Sequence, residues 1–172
     1  MINPDAIQNI NVKVFVASAT KFDHTEAVKV FHRWIKETVC PELLIDVAEY
    51  SHVPAGPGVL LIAHEANYSF DNRDNHLGLL YNRKAALEGS FESKLEQAHK
   101  SALTACDRLE KEMNVKFDRS SLEVFVNDRL LAPNTDETWK ALEPGLKKYF
   151  PGAKIAKTGE PRDLFRVAVS TK

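Results

Sequence analysis

The chain has 172 residues, 44% hydrophobic and 27% charged, which suits one globular domain with a real core and excludes a disordered or fibrous chain. Its 23 Lys and Arg face 24 Asp and Glu, a net charge of −1 that supplies no field to recruit nucleic acid or an acidic membrane. No window approaches the roughly 20 apolar residues of a membrane span and no signal-peptide pattern opens the chain, so a cytoplasmic protein is expected.

In chain order, "NVKVFV" (Asn11 to Val16) alternates and is rich in β-branched residues, the signature of a strand. Asp23 stands three residues before Glu26, a capping-box spacing that opens a helix through "HTEAVKVFHRWIKETV". Ala27, Val28, Phe31, Trp34, Ile35 and Thr38 share one side of that helix, and Pro41 is expected to stop it. Cys40 and Cys106 belong to no C-x-x-C pair and read as reduced structural thiols.

"LLIDVAEY" (Leu43 to Tyr50) reads as a second strand. In "SHVPAGPG" the Pro57-Gly58 dipeptide suits the centre of a type II turn, with positive φ required at Gly58. The run from Val59 to Asp71 is read as one returning strand, antiparallel to the last, and "LLYNRK" as the next strand of a meander. Ser90 to about Met113 carries Phe91, Leu95, Ala98, Ala102, Ala105 and Leu109 at helical spacing. That helix reads as a crossover making "LLYNRK" parallel to "SLEVFVN". A third helix, capped by Asn134 and Glu137, then "AKIAKT" and "LFRVAVS", close the chain. At an offset of 110 residues Val14, Phe15 and Val16 meet Val124, Phe125 and Val126, and Thr25 meets Thr135, which suggests a βαββ pseudo-repeat.

The chemistry-bearing residues gather around the meander. Asp46 lies between Ile45 and Val47, a pattern that reads as buried, and a carboxylate in a sheet interior needs a partner. His64, placed on the covered face, or His52 would supply it. Asp46, His52 and His64 are thus the candidate catalytic set, an acid-base site beside "SHVPAGPG". The loops "ASATKFD" and "NDRLLAPN" each leave a strand and enter a helix N-terminus, so Lys21 and Arg129 are candidate ligands for an anionic guest. No metal is expected, because His52, His64, His76, Asp71 and Asp74 lack any recognised ligand spacing. Nor is a cofactor: G-x-G-x-x-G, the P-loop and G-x-S-x-G are all missing.

The segments "VFHRWIKE", "ELLIDVAEYSHVPAGPGVLLIAHEANYSFD", "LGLLYNRK", "ACDRLE", "NDRLLAPNTDET" and "EPRDLFRV" resemble a family of small bacterial proteins of uncharacterised function. The resemblance runs from Val30 to Val167 and implies a single-domain bacterial protein without implying a mechanism. Members of that family often carry further histidines just before Gly-Pro-Gly, where this chain has Pro54 and Ala55.

The expected architecture is one α+β domain over residues 1–172, a mixed, largely antiparallel sheet with three helices packed against it. The leading functional reading is a small-ligand-binding or interaction protein whose partner is a small molecule or another protein. The alternatives are an enzyme using Asp46, His52 and His64, and a homo-oligomer pairing through an edge of the meander.

Overall fold

Alternation along the first strand sets the two sides of the molecule. In β1 (Ile10–Val16) the side chains of Ile10, Val12 and Val14 enter the hydrophobic core, and Asn11, Lys13 and Phe15 face the opposite way. The computed structural model, which describes residues 1–18 and 21–172, extends both faces across one eight-stranded sheet. The further elements are α1 (His24–Glu37), β2 (Leu44–Glu49), β3 (Pro57–Ala63), β4 (Ala66–Asp71), β5 (Gly78–Arg83), α2 (Phe91–Glu112), β6 (Phe117–Val126), α3 (Asp136–Tyr149), β7 (Lys154–Thr158) and β8 (Phe165–Ser170). The strand order is β2-β3-β4-β5-β1-β6-β8-β7. All three helices pack on the core face: α2 over β1, β5 and β6, α1 over β2 and β3, and α3 against α2 and β7.

The single α+β domain with three helices agrees with the sequence reading, and the sheet differs from it in instructive ways. Every neighbouring pair is antiparallel. The strands joined by α2 do run the same way, but β1 is inserted between them and pairs with both. The run from Val59 to Asp71 is two strands, with His64 and Glu65 the two residues that turn β3 into β4. An apolar strand ends on His-Glu because the chain reverses there.

Gly58 has no positive φ and starts no type II turn. It lies inside β3, and a Cβ there would stand 2.8 Å from His24 Cε1, so close packing explains the glycine. Ala55 takes the left-handed backbone in that loop instead. Asp23 caps α1 as expected, accepting from the N–H groups of Thr25 and Glu26. The helix ends before Pro41, because Thr38 is left-handed and the Val39 N–H returns to the Trp34 carbonyl. At α3 the cap is Thr135, and Asn134 instead donates to the carbonyls of Thr158 and Glu160.

The pseudo-repeat has a structural counterpart. The unit β1-α1-β2-β3 recurs as β6-α3-β7-β8, in each case with the second strand outermost and the third just inside it. The offset of 110 residues matches Lys13 to Glu123, and these two are direct partners in the central β1–β6 register. An approximate two-fold axis therefore passes between them, and the β4–β5 hairpin is inserted in the first half.

Among the described residues the second face carries no α-helix, yet its centre is buried. The segment 72–77 between β4 and β5 folds back over it as a strap: His76 stacks on Phe15 at 3.6 Å, and Asp74 reaches Arg166 of β8 at 2.9 Å. Beneath it Lys13 crosses the side-chain-free Gly78 to meet Asp71 at 2.9 Å, with both side chains no more than 5% exposed. Glu123 lies 3.6 Å from Arg166. Burial raises the Glu123 pKa, opposed by Arg166 and Lys13.

Candidate functional site

The residues singled out around the meander do not converge. β2 is an edge strand, and Asp46 on its helix-free face is exposed because nothing among the described residues covers that side there; its neighbour Ile45 is likewise 55% exposed rather than buried. Asp46 accepts the N–H of its neighbour Val47 at 2.8 Å and makes no hydrogen bond to a histidine. His52 is exposed in the β2–β3 loop. His64 is exposed too, its nearest charged group being the Glu65 carboxylate at 3.9 Å. Glu65 itself accepts the Leu43 N–H, which lowers its pKa. Lys21 and Arg129 sit at opposite ends of the sheet, because the antiparallel β1 and β6 deliver their loops in opposite directions. Residues 19 and 20 of the first loop lie outside the described residues.

The structure gathers a different set on the core face. Tyr68 of β4 and Tyr81 of β5 are register partners, their rings meeting edge-on at 5.1 Å. Both hydroxyls donate to one carboxyl group, that of Glu42 in the link from α1 to β2, at 2.9 and 2.8 Å. Glu42 is only 4% exposed and forms no salt bridge among the described residues. A carboxyl group so placed depends on these two donors to offset its lost hydration. Gln97 Nε2 donates to the Tyr81 oxygen at 2.8 Å and to Ser101 one turn along α2 at 3.2 Å, leaving Gln97 Oε1 buried without a partner among the described residues. Burial pushes both tyrosine pKa values up, with Glu42 adding to the rise, and Gln97 opposes it at Tyr81.

A cavity of about 210 Å³ opens beside this cluster, between the end of α1 and α2. Trp34, Val39, Pro41 and Ala105 give it apolar walls, Tyr68 and Cys40 line it on the Glu42 side, and Lys100 and Arg108 bring cationic groups to it. Trp34 is fixed by its indole N–H, which donates to Glu112 on α2. Cys40 is a free thiol whose pKa is raised to about 11, first by burial and then by Glu42. No protein-family model and no curated protein matches this chain.

Among the described residues no three His, Cys, Asp or Glu side chains converge as a metal site, and no helix is long and apolar enough to cross a membrane. The Glu42 cluster was hidden in the sequence because its members stand 26 and 39 positions apart and meet only through strand register. The available signal was alternation: once the turn falls at His64-Glu65, Tyr68 joins Phe70 and Tyr81 joins Leu79 on the covered side, where each hydroxyl needs a partner.

Proposed function

We propose that the protein binds a small organic molecule in the cavity between α1 and α2, against the Tyr68 end of the Glu42 cluster. The observation that carries this reading is a mostly apolar cavity abutting a preformed polar cluster, to which Tyr68 joins it. At about 210 Å³ it is smaller than the roughly 300–1,000 Å³ of drug-sized sites, so the ligand is of single-ring size. Lys100 and Arg108 favour a guest with an anionic or hydrogen-bond-accepting end. Binding is a better account than catalysis because the polar groups beside the cavity are not activated. The Cys40 thiol stays protonated at neutral pH, and both tyrosines are held as hydroxyls.

Trp34 lines the cavity and reports on it directly. Titration with phenol, indole and benzoate should change its fluorescence saturably for at least one probe. The Ala105→Leu variant, which fills the cavity from α2, should lose that response while remaining folded by circular dichroism. A flat titration with all three probes, or equal binding by folded Ala105→Leu, refutes the assignment.

A further inference from the structure

The strap that covers the helix-free face has a groove on its outer side, of about 500 Å³, bordered by Arg73, Asp74, Phe125, Arg129, Leu164 and Arg166. Three guanidinium groups therefore border one groove, and their charges are unequally met. Arg129 makes one hydrogen bond, to the Arg162 carbonyl, and Arg73 makes none through its side chain, so neither has a carboxylate partner among the described residues. Arg166 is held firmly: it donates to Thr158 at 3.3 Å, rests 5.8 Å from the Phe125 ring centre and is 17% exposed. Its outer NH2 group is taken by Asp74, a strap residue whose own side chain is 61% exposed. Asp163 also borders the groove; its Oδ2 accepts the Glu160 N–H at 2.7 Å, which ties the side chain back to its own loop and leaves its negative charge in place beside the three guanidinium groups. Glu123 approaches Arg166 from the sheet side.

We propose that this groove binds the oxyanion headgroup of a small organic molecule, a phosphate monoester or a carboxylate, and that Asp74 occupies the headgroup's place on Arg166 until it arrives. Guanidinium forks match both headgroups in a planar, two-point manner. The incoming oxyanion takes the Arg166 NH2 group from Asp74 and adds Arg73 and Arg129, which have no counter-ion to give up. Both ends of the strap are tied down, Asn72 and Arg73 donating to the Gly56 carbonyl and to Asp71 and Leu77 accepting the Val16 N–H, but its crown is able to yield: Asp74 and Asn75 both hold positive φ, and there the contacts to the sheet are Asp74–Arg166 and the His76–Phe15 stack. Phe125 and Leu164 offer apolar surface to the body of the guest. The groove lies on the face opposite the Trp34 cavity, so this proposal stands apart from the small-molecule reading above.

The test is calorimetric titration of the intact protein at low salt with glycerol 3-phosphate and, separately, succinate; whichever binds identifies the headgroup. Arg129→Gln, at an exposed position, should weaken binding by about tenfold, the loss of one charge-assisted contact. Arg166→Gln should weaken it at least as much. Asp74→Asn should tighten it severalfold, whereas Asp136→Asn, an equal charge change at α3, should leave it unchanged. Hydrogen exchange of the strap amides should speed up when the anion binds. The proposal is overturned if neither anion binds Asp74→Asn more tightly than about 10 mM. It is equally overturned if Arg129→Gln binds as well as the parent, if Asp136→Asn matches Asp74→Asn, or if the strap exchanges no faster with the anion bound.

Discussion

Replacing Lys13 with methionine removes the cation from a buried pair and leaves Asp71 behind. The two side chains are 3% and 5% exposed and 2.9 Å apart, so little water is available to take the place of the lost ammonium. Breaking such a pair on one side costs about 3–5 kcal/mol, because the surviving charge stays buried. Asp71 keeps one donor, the Arg73 N–H at 3.0 Å, which places the expectation at the lower end, about 3 kcal/mol. For a chain of this size that is a fall in Tm of about 6–12 °C. Urea unfolding of Lys13→Met, Asp71→Leu and the double variant completes a cycle. The double variant should recover to within about 1 kcal/mol of the parent, since an apolar pair of similar volume carries no desolvation cost. A Lys13→Met protein within about 0.5 kcal/mol of the parent would refute the reasoning, because that is the range of an ordinary surface substitution.

Gly78→Ala should cost about 1–3 kcal/mol in urea unfolding, because its Cβ would stand 2.7 Å from the Val14 carbonyl and 2.9 Å from the Lys13 stem. Gly58→Ala should cost less, since the nearest atom belongs to the His24 ring, which is able to turn; the reverse order would contradict both packing arguments. Burial lowers the His99 pKa below its usual 6.5, so the unfolded chain takes up that proton first and stability falls as pH drops through 6.5. His99→Gln should therefore lose less stability than the parent between pH 7 and pH 5 in paired urea melts, and an equal loss would discount His99. Iodoacetamide should alkylate Cys40 slowly at pH 7.5 and faster toward pH 10, with Cys106, buried more deeply, reacting later; rapid complete labelling at pH 7 would contradict the raised thiol pKa.

Local signals in the sequence carried well and distant ones did not. Asp23 was readable as a cap because its hydrogen bonds reach only two and three residues ahead. The hairpin at His64-Glu65 leaves no local signal because neither residue needs a left-handed backbone, so no glycine or asparagine marks it. The pattern around Asp46 is misleading because flanking aliphatic residues signal burial only in a strand covered on that side, and β2 is the outermost strand. Position in the sheet depends on β1 pairing with β5 and β6, contacts that periodicity does not encode. The same holds for Glu42, whose two donors come from different strands, and for Lys13, whose partner is 58 residues away.

The insertion of β1 at the middle of the sheet also governs the order in which a growing chain can complete it. Five strands, β1 to β5, lie within the first 83 residues and are mutual neighbours, so that half has its ladder partners before α2 is made. The other edge of β1 waits for Phe117–Val126, a pairing that spans more than a hundred residues of chain and carries a large loop-closure entropy. Through that interval a largely apolar strand with six consecutive positions buried in the finished protein, Ile10 to Phe15, presents an open edge. The nascent chain is thus most prone to pairing with a neighbour before β6 emerges, and a truncation after α2 should aggregate where the full chain does not.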